Sequence, residues 1–254
     1  MGLHRILRRY RRLGPKATAD YLRRRLVNRM LGVVNRVGPV RRQCPCCGWR
    51  GWRFLNFAGH GYGYVDYVCP RCGTHPRHRG LFLFLRDIVA RLRPGDAVLH
   101  LAPEPAIANA LRERTDLRYV TADLAMRSAA VRADVTAMPF RDDAFSLLVV
   151  SHVLEHLPRD GPALAEIARV TAPGGDALIL VPTWANWQER PTREFGAPDP
   201  QWDDHWRIYG SDLPERIAAA GLLCTPVRFS SFVAVEQRAP YGIGEDTIFV
   251  ARKR

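Results

Sequence analysis

Residues 96–104, DAVLHLAPE, decide how the rest of the chain is interpreted. The stretch begins after Pro94 and Gly95 with a short apolar run, which is typical of a buried parallel strand. Prolines then mark a turn, and residues 106–114 repeat apolar side chains at helical spacing. Strand, tight turn and helix open a βαβ unit, in which a ligand binds beyond the carboxyl end of the strand.

Downstream of this stretch, strand and helix patterns alternate, which predicts a mostly parallel sheet with helices on both faces. Short apolar runs predict seven strands, at 97–102, 117–122, 131–135, 145–151, 177–181, 226–230 and 247–251. Helical spacing predicts helices at 106–114, 163–170 and 211–220, and a further helix from about residue 81 to Arg93. The predicted fold class is therefore α/β, with a Rossmann-like, seven-stranded sheet.

The length of 254 residues gives room for one α/β domain of ordinary size and a small accessory module. No apolar run approaches the roughly 18 residues that are needed to cross a bilayer. The basic start is not followed by the apolar segment of a secretory signal. A cytoplasmic location is therefore expected.

Nearly all of the formal net charge of +13 lies in residues 1–43, which carry thirteen Arg and Lys against one acid, Asp20. This arm divides at Gly14 and Pro15 into two amphipathic pieces, whose apolar residues are Leu3, Leu7 and Tyr10 in the first and Leu22, Leu26, Met30, Val33 and Val37 in the second. Three interpretations stay open. In the first, the arm contacts an anionic membrane surface, which would place the protein at the inner membrane. In the second, it contacts RNA, and in the third, its apolar stripe packs on the main domain.

Two cysteine pairs indicate a small module between the arm and the α/β domain. Cys44 with Cys47, and Cys69 with Cys72, both stand in a C-P-x-C-G knuckle. Two such knuckles present four sulfurs to one metal ion, and the aromatic, glycine-rich stretch between them predicts a β-hairpin. The pattern predicts a structural zinc ribbon rather than two disulfides, which would fit a cytoplasmic protein poorly. Cys46 is surplus, because it is too close to Cys47 for both to bind one ion.

The predicted organisation is a basic helical arm at 1–43, a zinc ribbon at 44–79 and the α/β domain at 80–254. A basic cluster lies at the boundary between the last two units, formed by His75, Arg77, His78 and Arg79. Such a cluster either faces a substrate or solvates the start of a helix.

Several segments of the α/β domain resemble those of a known family. Residues 134–140 (DVTAMPF) resemble its D-x-x-x-L-P-F segment, 151–157 (SHVLEHL) the segment after its fourth strand, and 172–175 (APGG) the turn before its fifth. In this order and spacing, the chain from Asp96 onward resembles the class I S-adenosylmethionine-dependent methyltransferases of the type 11 group. The resemblance extends to bacterial members with an N-terminal zinc ribbon, an L-H-x-A-P-E-P loop and a D-H-x-R-x-Y-G segment, here residues 204–210.

The resemblance implies a site for S-adenosylmethionine at the carboxyl ends of the first strands. The usual G-x-G-x-G loop is replaced by residues 102–105 (APEP), where Glu104 could accept from the ammonium group of the cofactor. Asp123 would accept from the ribose hydroxyls and Asp134 from the adenine amino group, although each could instead be a cap or turn residue. The expected cofactor residues are Leu101, Ala102, Pro103, Glu104, Asp123, Leu124, Asp134, Val135, Ser151 and His152.

The acceptor of the methyl group must be held in line with it, and a hydroxyl acceptor must also lose a proton to a base. The expected acceptor residues are His152 after the fourth strand, with Asp204, His205 and Tyr209 from an insertion at 183–209. One of the two histidines is expected to accept the proton. The four tryptophans of the insertion predict an aromatic lid or simple anchors, and residues 204–210 could instead cap the helix that follows.

Residues 152–156 also spell H-x-x-E-H, a zinc-protease pattern. That pattern requires a helix and a third ligand downstream, whereas here it follows a strand, so the protease interpretation is rejected. The leading hypothesis is an enzyme that transfers a methyl group to an O or N acceptor on a small-molecule or glycan-type metabolite. The alternatives are an RNA methyltransferase that uses the ribbon and the arm, and a non-catalytic binding protein with a degenerate fold.

Overall fold

The structure, a computed structural model, describes residues 3–58 and 63–254. In these residues the helices are α1 (Leu3–Val37), α2 (Pro76–Val89), α3 (Pro105–Arg112), α4 (Gly161–Val170), α5 (Leu213–Ala219) and α6 (Val235–Tyr241). The strands are β1 (Arg42–Gln43), β2 (Arg50–Gly51), β3 (Leu55–Ala58), β4 (Gly63–Val68), β5 (Ala97–Leu101), β6 (Arg118–Asp123), β7 (Val131–Arg132), β8 (Phe145–Ser151), β9 (Thr171–Leu180), β10 (Arg193–Asp199), β11 (His205–Ile208), β12 (Leu222–Arg228) and β13 (Thr247–Lys253).

Seven strands form the central sheet, in the order β12-β13-β9-β8-β5-β6-β7. The strands β5, β6, β7, β8 and β9 run parallel to one another, and β13 is antiparallel to both β9 and β12. The predicted α/β class, with seven strands that are mostly parallel, is confirmed. β8 has the predicted bounds, whereas β12 begins four residues earlier than predicted, because Pro226 stands inside an edge strand, where a missing N–H is tolerated.

Apolar layers cover both faces of the sheet. Every residue of β5 is buried, and successive side chains point to opposite faces. Val98 packs in the layer that contains α2 and α3, and Leu99 in the layer that contains α4 and α5. Because helices cover both faces of the sheet, a polar ligand can reach the sheet only at the ends of its strands.

The cysteine module contains two short antiparallel pairs, β1 with β2 and β3 with β4. One backbone hydrogen bond closes each knuckle, from Gly48 N–H to Cys44 O at 2.9 Å and from Gly73 N–H to Cys69 O at 3.0 Å. Both glycines have a positive φ, 71° and 73°, which residues with a side chain rarely adopt. The predicted hairpin is present as β3 and β4, although residues 59–62 between them lie outside the described residues.

The helical arm is divided at Gly14, as predicted, where φ is 80° and ψ is 179°. The second piece contacts the cysteine module through asparagines. Asn28 exchanges two hydrogen bonds with the backbone of Asn56, at 2.8 and 2.7 Å, and Asn35 exchanges two with the backbone of Arg53, both at 2.9 Å. The arm is therefore attached to the module by a polar face.

The apolar stripe of the second piece does not pack on the main domain, so that interpretation is wrong for these residues. Its members are exposed: Leu22 by 42%, Leu26 by 62%, Met30 by 62%, Val33 by 65% and Val37 by 87%. The side chains of Leu3 and Leu7 lie outside the described part of the chain. No helix within that part is long and apolar enough to cross a membrane.

Arg79 joins the cysteine module to the α/β domain. Its guanidinium group is fully buried and lies 4.1 Å from the centre of the Phe54 ring. On the side of the module it donates to the carbonyl oxygens of Thr74 and Tyr67, and near the end of α6 it donates to those of Tyr241 and Gly242. This member of the basic cluster therefore has a structural role, and it neither faces a substrate nor solvates a helix start.

Candidate functional site

The order of strands reverses between β5 and β8, and the carboxyl ends of these strands open into a cleft. Two cavities adjoin there, of about 280 Å³ and about 290 Å³. His152 and His156, which follow β8, line both cavities. We call the smaller the first cavity and the larger the second cavity.

The first cavity lies against β5 and β6, where the cofactor was predicted. Seven predicted cofactor residues line it, namely Leu101, Ala102, Asp123, Leu124, Asp134, Val135 and His152. Three others, Pro103, Glu104 and Ser151, are not among its lining residues. The predicted cofactor residues therefore divide into seven that line the first cavity and three that do not.

Both strands at the reversal end on a residue with left-handed backbone. Ala102 after β5 has φ 46°, and His152 after β8 has φ 54°, values that are unfavourable for a residue with a Cβ atom. Their amides are held by neighbouring strands, Ala102 N–H by Ala122 O and His152 N–H by Leu180 O, each at 2.9 Å. The first loop thus keeps a glycine-like conformation although the usual glycine is replaced by alanine.

Asp123 and Asp134 each fix a turn, which is one of the two roles that the sequence left open for them. Oδ1 of Asp123 accepts from the amides of Ala125 and Met126, at 2.7 and 2.6 Å. Oδ1 of Asp134 accepts from the amide and the hydroxyl of Thr136, and these bonds lower the pKa of Asp134. One carboxylate oxygen therefore fixes the turn in each case, which leaves Oδ2 for a ligand.

Glu104, which was predicted to accept from the ammonium group of the cofactor, is engaged inside the protein through one carboxylate oxygen. Its Oε2 lies 2.8 Å from Nε2 of His100, a fully buried residue of β5. Burial would raise the pKa of Glu104, but the hydrogen bond to His100 and the charges of His100 and His78 lower it to about 2. Glu104 therefore fastens the start of α3 to β5.

The second cavity is walled on one side by the cysteine module. Phe57, Tyr64 and Tyr67 come from its hairpin, and the Tyr64 and Tyr67 rings stack with centres 4.7 Å apart. The facing residues come from the ends of strands and from the insertion, namely His152, His156, Leu180, Val181, Pro182, Thr183, Trp202, Asp203, His205, Asp246 and Thr247. Sequence reasoning missed this wall, because no local pattern shows that the hairpin lies over the sheet.

Several polar atoms of the second cavity are buried and have no hydrogen-bond partner within the described chain. They are His75 Nδ1, Arg77 Nε, His205 Nδ1 and Thr247 Oγ1. Burial lowers the pKa of His75 to about 4, so this imidazole is neutral near pH 7. Leaving buried polar groups unpaired is unfavourable, so the wall offers hydrogen bonds that a ligand could complete.

His152 stands on the wall that the two cavities share. Its Nδ1 lies 2.7 Å from Oε1 of Glu155, which is fully buried. Burial would raise the pKa of Glu155, but the charge of His152 and its hydrogen bond lower it, so Glu155 is an ionised acceptor. With a proton on Nδ1, the ring keeps Nε2 as an acceptor, as in a histidine that serves as a base.

The insertion is a two-stranded hairpin, β10 with β11, rather than a loop or a helix cap. Alternate residues of β11, namely His205 and Arg207, lie on one face together with Tyr209, which follows the strand. His205 lines the second cavity, whereas Arg207 donates to the carbonyls of Leu154, Leu157 and Pro158 and so clamps the segment after β8. This clamp explains why His205 and His156 meet, with ring centres 4.8 Å apart.

Tyr209 and Asp204, which were predicted to contact the acceptor, do not line the second cavity. Tyr209 is fully buried, and its hydroxyl donates to Oδ2 of Asp160 at 3.0 Å. Burial raises the pKa of this hydroxyl. Asp204 is exposed, and the neighbouring Asp203 lines the cavity instead.

The tryptophans of the insertion divide between the two predicted roles. Trp202 lines the second cavity and contacts Trp184 edge to face, with ring centres 6.4 Å apart. Trp187 is buried against Phe249 of β13, with ring centres 5.0 Å apart. One tryptophan therefore belongs to an aromatic wall, and another anchors the insertion to the sheet.

Residues 88–179 match the model of a family described as "Methyltransferase domain". This segment is a class I methyltransferase domain. The demethylmenaquinone methyltransferase of Mycobacterium marinum is 34% identical over 98 residues, which cover 35% of this chain and 42% of that protein. An uncharacterized methyltransferase of Mycolicibacterium paratuberculosis is 35% identical over 109 residues, which cover 36% of this chain and 40% of that protein. The chain thus spans about two fifths of the length of the curated relatives that it matches.

A solved structure that is similar to the chain is the 1,6-didemethyltoxoflavin-N1-methyltransferase of Burkholderia thailandensis, with bound 1,6-didemethyltoxoflavin and S-adenosylhomocysteine. It is 18% identical, with a TM-score of 0.48, and the alignment covers 70% of this chain and 85% of that chain.

The four knuckle cysteines lie together beside the methyltransferase domain. The Sγ atoms of Cys44 and Cys72 are 3.6 Å apart, and those of Cys47 and Cys69 are 3.7 Å apart. A tetrahedral zinc ion with Zn–S bonds of about 2.3 Å holds its sulfurs about 3.8 Å apart. The described cysteines therefore fit one zinc ion. Cys46 is not part of the cluster, since its thiol approaches the carbonyl oxygen of His78 at 4.0 Å.

Proposed function

We propose that the protein is an S-adenosylmethionine-dependent methyltransferase that acts on an O or N atom of a small-molecule or glycan-type acceptor. The observation that carries this proposal is the position of His152. It stands between a cavity lined by the predicted cofactor residues and a second cavity with unpaired polar atoms, and Glu155 holds its ring. A base at the junction of two sites is what transfer to a hydroxyl requires.

The first cavity fits the cofactor that the methyltransferase domain implies. S-Adenosylmethionine, when bound, supplies a methyl group on a positively charged sulfur. Asp123 and Asp134 each have an oxygen left for the ribose and for the adenine amino group. Ala102, with its left-handed backbone and small side chain, lets a ligand approach the end of β5 closely.

The second cavity fits a ring-shaped acceptor that carries hydroxyl groups. The stacked Tyr64 and Tyr67 offer flat apolar surface, while His75 and Arg77 offer unpaired nitrogen atoms. In this proposal His152 accepts the proton of the methylated hydroxyl through Nε2, and Glu155 keeps the ring in the required orientation. The aromatic wall and the insertion exclude water from the junction.

We also propose that the four cysteines bind one structural zinc ion. The sulfur spacing supports this, as do the two equivalent knuckles closed by Gly48 and Gly73. A site with four thiolates has no open position and serves folding rather than catalysis. Its effect would be to hold the hairpin that forms one wall of the second cavity.

For the arm, we propose contact with an anionic membrane surface. On a helix of 3.6 residues per turn, the exposed stripe from Leu22 to Val37 covers one side. Beside this stripe lie Arg25, Arg29 and Arg36. The asparagines that bind the cysteine module lie on another side of the helix. An exposed apolar face flanked by arginines suits the interface of an anionic bilayer. RNA would use the arginines but leave the apolar stripe exposed, so the lipid surface is favoured.

Binding of S-adenosylhomocysteine tests the proposed activity. Calorimetry should show binding to the wild type, and Asp123→Ala should weaken it by about 1–3 kcal/mol, or roughly 5- to 150-fold. Glu236→Gln, an exposed acid on α6, serves as the control and should leave affinity unchanged. No binding to the wild type at millimolar ligand would refute the proposal in favour of a degenerate fold.

The acceptor class is tested by transfer from S-adenosylmethionine with a labelled methyl group. We expect label in hydroxyl-rich small molecules and glycans rather than in RNA. Label that appears in RNA and disappears with nuclease would instead support the RNA hypothesis.

A further inference from the structure

Three side chains at the junction of the two cavities form a compact cluster with the chemistry of metal ligands. Glu155, His156 and His205 each offer a ligand atom, and these atoms lie within 4.8 Å of one another. Glu155 and His156 follow β8, and His205 begins β11, so two distant parts of the chain supply the cluster. Arg207 holds these parts together through its three bonds to backbone carbonyls.

Two atoms of this cluster are buried without a hydrogen-bond partner among the described residues. They are Oε2 of Glu155, a residue with no exposed surface, and Nδ1 of His205, a residue that is 8% exposed. A buried carboxylate oxygen that is not paired is costly. Each atom has the chemistry of a metal ligand, and nothing else in the described protein satisfies either of them.

We propose that Glu155, His156 and His205 bind a divalent transition-metal ion, with Zn²⁺ as the typical case. Two imidazoles and one carboxylate are a common ligand set for catalytic zinc, with a further position left for water or substrate. The open position here faces the second cavity, which His156 and His205 line. This inference rests on the proposed methyltransferase function for its role, but not for the existence of the site.

The surroundings of the cluster resemble the outer shell of known metal sites. Ligand carboxylates are usually hydrogen-bonded through their other oxygen, and Oε1 of Glu155 accepts from Nδ1 of His152 at 2.7 Å. His152 is therefore a neighbour of the site rather than a ligand. A zinc ion holds nitrogen and oxygen ligands about 3.3–3.6 Å apart, and His156, which is exposed, has room to rotate and close the remaining distance.

A metal ion at this position narrows the acceptor to a hydroxyl group. Bound to the ion, a hydroxyl loses its proton more readily, and His152 is placed to accept it. The acceptor oxygen then forms its bond to the methyl carbon as the bond from that carbon to sulfur breaks, which leaves S-adenosylhomocysteine neutral and His152 protonated. With the ion bound, a base as weak as an imidazole would therefore be sufficient to remove the proton of the hydroxyl group.

Metal content measured by mass spectrometry tests the site. The full-length protein is incubated with ZnCl₂, freed of unbound ion by gel filtration and compared with His156→Ala and His205→Gln. We expect about two ions per wild-type chain, one on the cysteines and one on this cluster, and about one ion in each variant. His75→Ala, which changes another histidine of the second cavity, is the matched control and should retain both ions.

The comparison stays informative if one variant is unstable, because His156 is exposed and its replacement leaves no core cavity. Equal metal content in the wild type and His156→Ala would overturn the proposal. Calorimetry with S-adenosylhomocysteine separates the two hypotheses. Cofactor binding without the second ion refutes this inference and leaves the proposed function standing, whereas the second ion without cofactor binding refutes the proposed function and leaves the metal site standing.

Discussion

Replacing Arg79 with methionine should destabilise the protein more than any substitution of an exposed arginine. The side chain donates four hydrogen bonds to carbonyl oxygens, two on the cysteine module and two near the end of α6. Hydrogen bonds from a charged donor contribute about 1.5–3 kcal/mol each, which gives a gross contribution of about 6–12 kcal/mol. Methionine keeps most of the apolar stem but leaves those four carbonyls without their donor.

The net effect is smaller, because burying a guanidinium group costs several kcal/mol. Burial also lowers the pKa of Arg79, which shows that the charged form is desolvated. We therefore expect a loss of about 3–5 kcal/mol, as is found when one partner of a buried charged interaction is removed. For a chain of this size, that loss corresponds to a decrease in Tm of about 6–20 °C.

The assay is unfolding in guanidinium chloride at a fixed zinc concentration, since a bound ligand shifts the apparent stability. The matched control is Arg86→Met, an exposed arginine on the same helix, which should change the free energy of unfolding by no more than about 0.5 kcal/mol. If Arg79→Met loses less than about 1 kcal/mol, the four bonds do not hold the module to the domain and the argument fails.

Three further predictions concern zinc, acid and the arm. Cys69→Ser should lose the cysteine-bound zinc, measured by mass spectrometry, whereas Cys46→Ser should keep it. Burial lowers the pKa of His78 to about 3. Between pH 6.5 and 3 this histidine is therefore protonated in the unfolded chain but neutral in the folded protein, so the free energy of unfolding decreases as the pH is lowered. Between pH 7 and 4.5, His78→Gln should therefore lose about 2–3 kcal/mol less free energy of unfolding than the wild type. Exchanging Leu26, Met30 and Val33 for serine should reduce cosedimentation with anionic vesicles more than tenfold while S-adenosylhomocysteine affinity stays constant, and undiminished cosedimentation would refute membrane contact by the stripe.

The sheet could be predicted from the sequence because its signals are local. The sequence of β8 is mostly apolar, and both of its ends were predicted. The apolar run before Ala102 predicts β5. The first cavity followed from these strands, since parallel strands end at one edge. The contacts of the loop after β5 could not be predicted in this way, because the sequence does not show that His100, buried in the strand, binds the carboxylate of Glu104.

The second cavity could not be predicted in the same way, since its parts are far apart in the chain. β11 is four residues long and mixes polar with apolar side chains, so its pattern could not be told from a helix cap. His205 lines the second cavity, whereas Tyr209, on the same face of the strand, donates to Asp160. The arm shows a different limit, because its periodicity predicted the stripe but could not show that the polar face would be the attached one.

The position of the cysteine module implies that the proposed zinc ion would support the second cavity rather than the first. The hydroxyl of Thr74 lies 3.3 Å from Sγ of Cys44 and 3.2 Å from Sγ of Cys72, and the carbonyl of Thr74 accepts from Arg79. The next residue, His75, lines the second cavity, and its ring contacts Tyr67 at 5.0 Å between centres. The first cavity, by contrast, is lined by β5, β6 and the segments that follow β5, β6, β7 and β8, with no residue of the module. A change at the thiolates therefore reaches the wall of the second cavity through one neighbouring residue, whereas it reaches the first cavity only through the packed sheet.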